Sequence, residues 1–351
     1  MNRMLAPRFI LICFCLVSVE AELSEERYLF YPGSLVVLPQ DGREVYYEAF
    51  AAAQCEVRIE ICVLEDPLIL QSLMDAILRG IKVKVIVDKG KYDTDPMEQA
   101  NLAEYVTSVG GELHLSNPIF PRSFPKVILI DQTAVLIGTA CLDTETFMQY
   151  RDYVYVSDDA NIIESLSALF ENDWFYSVPP GFPYPTFNPT PVIRPPNLII
   201  SPVNASFQLV SLFQMARFSL DVSSELLGNP TLESELMAAV ARGVEVRLIS
   251  PQFVNSATPA EQALQILSLN QLKAAGVIVH VTLPPESALY PYMHARTAIV
   301  DKKIGYLGSI SLSPNSITFN REAGLYLNTK HFVDKLHAHF ENDFLNKSTL
   351  Y

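Results

Sequence analysis

From Tyr292 to Leu327 the chain reads YMHARTAIVDKKIGYLGSISLSPNSITFNREAGLYL, and 170 residues upstream the same spacing runs once before, without insertion or deletion. His294, Arg296, Asp301, Gly308, Ser309 and Glu322 align with Phe124, Lys126, Asp131, Gly138, Thr139 and Asp152. The register continues to FEND at 170–173 and FEND at 340–343. A register kept that long predicts two copies of one structural unit.

The unit itself reads as α/β. Val57 to Leu64 and Lys82 to Asp88 alternate as strands, with a helix from Pro67 to Leu78 between them that stops at Arg79-Gly80. Phe218 to Ser224, Thr231 to Ala241, Arg242-Gly243 and Glu245 to Ile249 repeat that pattern, and such crossovers imply parallel strands. Tyr28 to Pro39 is expected as an entering strand, Glu44 to Gln54 as a short helix, and Glu98 to Val109 and Ala260 to Ala275 as the next helices. His114 and His280 follow these at equivalent places and are read as structural. Between the copies, 178–202 holds nine prolines and one glycine, a stiff extended connector that leaves no room for an inner strand. The expected division is therefore a leader at 1–21, a first domain at 22–178, a linker at 179–202 and a second domain at 203–351.

Read as chemistry, His294 and Arg296 two residues on would share one face of a strand, an imidazole beside a guanidinium. That pairing suits a phosphate. The two segments resemble the HxKxxxxD motifs of the phospholipase D superfamily, with Phe124 in place of the first histidine and Arg296 in place of the second lysine. The asparagine that usually follows is Ser311 in one copy and Cys141 in the other. The resemblance implies two similar domains, each a mixed, largely parallel sheet flanked by helices, packed about a pseudo-twofold with one site between them.

It also implies a two-step phosphodiester exchange in which one histidine attacks phosphorus and the other protonates the leaving oxygen. By that pattern His294 is nucleophile or acid, Lys126 and Arg296 stabilise phosphoryl charge, and Thr139, Ser309 and Ser311 contact its oxygens. Glu322 would orient His294, or pair with Arg296. Asp152, with no imidazole in its own copy, is expected to pair with Lys126 or Arg151, and Asp131 and Asp301 to hold turns. Phe124 is expected to pack in the core. No metal or nucleotide motif is present and the family chemistry needs none. Two functions follow: a divergent phosphodiesterase acting on phospholipid or another phosphodiester through His294, or a catalytically silent relative that binds a phosphate-bearing ligand or a protein.

With 49% apolar and 18% charged residues, and a net charge of −14, a broad basic surface for nucleic acid is disfavoured and a lipid at a membrane surface is the better partner. Arg3 and Arg8, the apolar run from Phe9 to Val17 and Val19-Glu20-Ala21 read as an export signal, with an uncleaved anchor as the alternative. Cys13 and Cys15 fall inside it, which leaves Cys55, Cys62 and Cys141. Cys62 reads as a small buried hydrophobe, and a Cys55–Cys62 bridge is disfavoured by the length of strand between them. Asn204 and Asn346 head glycosylation sequons.

Overall fold

The computed structural model describes residues 29–92, 96–185, 195–255, 257–284 and 286–351. The expected leader and the middle of the Pro-rich stretch lie outside them. Among the described residues no helix is long and apolar enough to cross a membrane.

The first half supplies β1 (Leu35–Leu38), β2 (Glu56–Ile61), β3 (Lys82–Val87), β4 (Glu112–Leu115), β5 (Ser123–Phe124), β6 (Val127–Ile130), β7 (Ala134–Gly138) and β8 (Tyr150–Ser157). The second repeats them in order as β9 (Leu198–Ser201), β10 (Ser219–Ser223), β11 (Glu245–Pro251), β12 (Ile278–Thr282), β13 (Tyr292–Met293), β14 (Thr297–Val300), β15 (Ile304–Gly308) and β16 (Arg321–Leu327), and adds β17 (Thr349–Leu350). Each sheet is mixed. In the first the order is β1-β8-β7-β6-β2-β3-β4, with β2, β3 and β4 parallel and the others antiparallel. In the second, β9-β16-β15-β14-β10-β11-β12 repeats that path, and β17 extends it beyond β12.

Two short strands cross over. β13 of the second half pairs with β8 of the first, Tyr292 opposite Tyr150 and Met293 opposite Arg151. β5 of the first half pairs with β16 of the second, Arg321 opposite Ser123 and Glu322 opposite Phe124. The expected pseudo-twofold is thus built into the hydrogen-bonded sheets as well as the packing.

Period-two alternation sets the layers. Leu35, Val37, Val127 and Leu129 face a central core, while Val36, Leu38, Ile128 and Ile130 face an outer one. The central core is filled by the long helices Ala160–Tyr176 and Lys330–Asn346. The outer cores lie under Glu44–Ala52 and Pro67–Leu78 on one side, and under Ala205–Gln214 and Pro230–Ala241 on the other. The repeated FEND closes these central helices. Asp343 accepts from Arg151 Nε at 2.6 Å and Nη2 at 2.9 Å, and Asp173 faces Arg321 Nε at 2.9 Å, so each half grips an arginine of the other.

Several expectations need correcting. Leu198–Ser201 lies in the proposed linker yet forms β9, because its apolar residues pair with β16 and the prolines stop short of them. Tyr28 is outside the described residues, and the entering strand is only Leu35–Leu38. Cys62 is not free: it bonds Cys141, 79 residues away, while among the described residues Cys55 is a free, exposed thiol. The Asn204 side chain is built into a turn, accepting from Ile200 N at 2.7 Å and donating to Leu198 O at 3.1 Å.

His114 and His280 are structural, as expected. His114 stacks on Trp174 and meets Ser177 at 2.8 Å; His280 stacks on Phe344 and meets Ser348 at 3.1 Å. Asp131 accepts from the backbone N–H groups of Gln54, Cys55 and Glu56, and Asp301 from those of Arg217, Phe218 and Ser219. Both hold turns.

Candidate functional site

His294 and Arg296 do not share a strand face. They occupy the break between β13, which belongs to the other half's sheet, and β14, which belongs to their own. The break sends the two side chains to partners in different halves. His294 Nδ1 lies 2.8 and 2.9 Å from the two oxygens of Asp152, at the start of β8. Glu322 therefore does not orient His294, and Asp152 is not merely structural: the orienting carboxylate comes from the opposite half.

By the same symmetry Glu322 faces position 124, where it finds phenylalanine. Its Oε1 accepts from Asn320 at 2.8 Å; its buried Oε2 makes no hydrogen bond of good geometry among the described residues, with the Ser316 hydroxyl near enough to help hold the carboxyl's charge. Phe124 is only partly buried and packs on the edge of the first outer core. Burial pushes the Glu322 carboxyl up to about 7, against the pull of Asn320 and Arg296. An imidazole at 124 would fill the vacant hydrogen bond.

Arg296 is held by groups of its own half. Nε donates to Ser311 Oγ at 3.1 Å, and the guanidinium contacts the His294 carbonyl and Glu225. Nothing in the motif spacing pointed to Glu225. It lies two residues past the end of β10, outside the repeated motif, and its other oxygen accepts from Tyr292 Oη at 2.9 Å. Its Oε2 stands 3.9 Å from His294 Nε2, so a carboxylate sits beside the face of the imidazole that would meet an anionic substrate. Burial works to raise the Glu225 pKa, but Arg296 foremost, with Lys126 and the Tyr292 hydrogen bond, holds it below the usual carboxylate value.

Register puts Cys62 and Cys141 where the second half has Glu225 and Ser311: Val57 opposes Ile130 as Leu220 opposes Val300, with Cys62 and Glu225 five residues after the first of each pairing and Cys141 and Ser311 eleven after the second. A covalent bridge thus replaces the polar clamp. Lys126, the counterpart of Arg296, donates to the Thr139 carbonyl. Burial, then the nearby Arg296, lower its pKa to about 7, with Asp152, Glu225 and Glu322 acting the other way.

Thr139 and Ser309 do not present free hydroxyls. Thr139 donates to Asp152 and accepts from Tyr153 N at 2.9 Å; Ser309 donates to the Ala323 carbonyl at 3.2 Å and accepts from its N–H at 3.1 Å. They brace the motif backbone and the orienting carboxylate. Ser311 retains its hydroxyl hydrogen beside Arg296. The preceding glycines have a packing reason, since a Cβ at Gly138 would lie 2.2 Å from the Tyr153 carbonyl and one at Gly308 would lie 2.4 Å from Gly324 Cα.

Burial, followed by the charges of Arg296 and Lys126, lowers the His294 pKa well below its ordinary value, so the ring is neutral at pH 7. With Nδ1–H donated to Asp152, the Nε2 lone pair is the reactive edge. Burial lifts Asp152 to about 6, with Lys126 opposing. The centre is therefore an oriented neutral imidazole beside two cations, one of them neutralised by Glu225. Away from it, Asp221, His337 and Glu341 gather as metal ligands do, but Arg247 bonds Asp221 and Glu341 at 2.7 Å each and supplies the positive charge.

Two α/β halves that exchange strands to build a single histidine centre define a class of protein in which the site exists only at the junction. The family described as "Cardiolipin synthase, PLD-like domain" matches residues 46–174 and 209–344, and the chain belongs to the phospholipase D superfamily. A probable cardiolipin synthase of Bacillus subtilis is 21% identical over 341 residues, which cover 89% of this chain and 66% of that protein. The chain thus spans just under two thirds of the Bacillus relative. Cardiolipin synthase B of Salmonella typhimurium is 23% identical, with 90% of this chain and 81% of the relative covered. Among solved structures, the phosphatidylserine synthase of Haemophilus influenzae superposes with a TM-score of 0.67 at 14% identity, covering 90% of this chain and 87% of that one. The polyphosphate kinase of Porphyromonas gingivalis reaches 0.63 at 16% identity, but only 46% of that chain is covered. Both share the fold.

Proposed function

We propose that this chain is an exported phospholipid phosphodiesterase or phosphatidyl transferase that works through one histidine, His294. The observation that carries this reading is the His294–Asp152 pair. A carboxylate from one half fixes the imidazole of the other with Nδ1 protonated and Nε2 free to attack, beside Lys126 and Arg296, which would stabilise phosphoryl charge. Relatives named as cardiolipin synthases and a phosphatidylserine synthase fold favour phospholipid as substrate and a membrane surface as its source. The Cys62–Cys141 bond favours an oxidising, exported location.

The test is hydrolysis of a chromogenic nitrophenyl phosphodiester, free and as a phosphatidyl ester in vesicles, by the chain and its His294→Ala variant. Rapid denaturation at alkaline pH, where the P–N bond survives, is added to trap a phosphohistidine. Turnover that vanishes with His294, together with label on His294 in the parent, is the expected result; turnover indifferent to His294 would refute the assignment. Phe124 and the carboxylate of Glu225 favour a second reading, a silent binding module. A parent without turnover that still binds phosphorylated head groups through Lys126 and Arg296 would establish it.

A further inference from the structure

We infer that Phe124 restricts this site to substrates whose leaving group departs as an anion, such as aryl esters and, among biological lipids, phosphoanhydrides, rather than simple alkyl phosphodiesters. This rests on the reading of His294 as nucleophile.

The geometry starts from the exchanged strands. β13 carries His294 to Asp152 across β8, and β5 carries Phe124 to Glu322 across β16, so the two side chains are pseudo-twofold mates on opposite sides of one centre. In-line displacement at phosphorus places the leaving oxygen opposite the nucleophile. When His294 Nε2 attacks, the leaving oxygen points toward position 124. The group there is a phenyl ring, which has no proton to give.

Other acidic groups are badly placed for that oxygen. Glu322 pairs in register with Phe124, in the seat of an orienting carboxylate, and is held there by Asn320 at 2.8 Å rather than turned toward substrate. Lys126 is turned onto the Thr139 carbonyl. Glu225 and Tyr292, bonded to each other at 2.9 Å, are on the His294 side.

The reaction balances without an acid only for certain substrates. The P–Nε2 bond forms as the P–O bond breaks, and the electron pair leaves on oxygen while the Nδ1 proton stays in the bond to Asp152. Water then attacks phosphorus, the P–N pair returns to Nε2, and the proton of water passes to solvent. An alkoxide is a poor anion to expel; a phosphate or phenolate oxygen is a good one. Loss of a general acid typically costs about 10²- to 10⁴-fold, and that penalty falls mainly on the poorer leaving groups.

The experiment compares esters with a common short-chain diacylglycerol phosphoryl part and leaving groups ranging from 4-nitrophenol through phenol to choline. It adds one phosphoanhydride of the same lipid. For the parent, kcat/KM is expected to fall about five- to tenfold per unit of leaving-group pKa, with choline ester at background. Phe124→His, which places an imidazole on Glu322, is expected to flatten that slope and raise choline-ester turnover by about 10²-fold or more, while the nitrophenyl ester gains less than about tenfold. Phe124→Leu should keep the steep slope, and the parent series decides the matter even where Phe124→His does not fold. A flat parent series, or choline ester cleaved as fast as nitrophenyl ester, overturns the inference while leaving His294 catalysis standing. Silence toward every member, anhydride included, overturns both.

Discussion

Lys126 and Asp152 set the pH window of the site from opposite sides. Burial lowers the Lys126 pKa to about 7, so its charge is present below that pH and lost above it. Burial raises Asp152 to about 6, so the carboxylate that holds His294 is lost as pH falls below that value. The profile of kcat/KM is expected to be bell-shaped with its maximum between these limits. In Lys126→Arg the alkaline limb should move beyond about pH 9, because a guanidinium stays charged. An unmoved limb would assign it to another group.

Glu225 makes a second residue-scale prediction. Its carboxylate competes with any anion for Arg296, so Glu225→Gln is expected to tighten vanadate or phosphate binding by about tenfold, measured by calorimetry. Weaker binding would mean that Glu225 chiefly holds the guanidinium in place. Neither this residue nor the role of Asp152 was legible in the sequence. Glu225 lies outside the repeated segment, and its counterpart is Cys62, which shares no chemistry with it. Asp152 was visible as the mate of Glu322, but a linear register cannot say whether a carboxylate serves its own copy's histidine or the other's.

At the scale of elements, the spacing told more than the residues did. Strand, helix and strand were readable from alternation and from the Arg-Gly stops, and the helices end where Gly80 and Gly243 take positive φ. What alternation could not reveal was that two two-residue strands change sheets, since so short a strand carries no period. FEND was visible as a repeat but not as a contact. Its aspartates are the acceptors for Arg151 and Arg321, both buried, one in each direction across the junction. Removing one partner strands a buried charge, so Asp343→Ala is expected to destabilise the chain by about 3–5 kcal/mol in denaturant titration. A loss below about 1 kcal/mol would show that the guanidinium finds water.

At the scale of the molecule, the three cores run from helix to sheet to helix to sheet to helix, with the central pair of helices contributed one from each half. The disulfide Cys62–Cys141 ties only the first half and closes a loop with sequence separation 79. In the chain-entropy picture such a loop contributes about 3–5 kcal/mol. A Cys62→Ser/Cys141→Ser double variant should lose stability on that scale, and its denaturation midpoint should be insensitive to dithiothreitol. If the parent is equally insensitive, the bridge contributes nothing. The odd count of cysteines outside the expected leader hid this pairing, because distance along the chain says nothing of which strand ends meet.

The crossing of β13 and β5 has a genetic corollary. The imidazole and its carboxylate are read from different halves of the coding sequence, 142 residues apart, so a copy broken at His294 and a copy broken at Asp152 each retain what the other lacks. Within separate molecules neither defect can heal. Any activity recovered when the two are expressed together would count the pairs that had traded halves, and would turn a structural seam into a complementation assay.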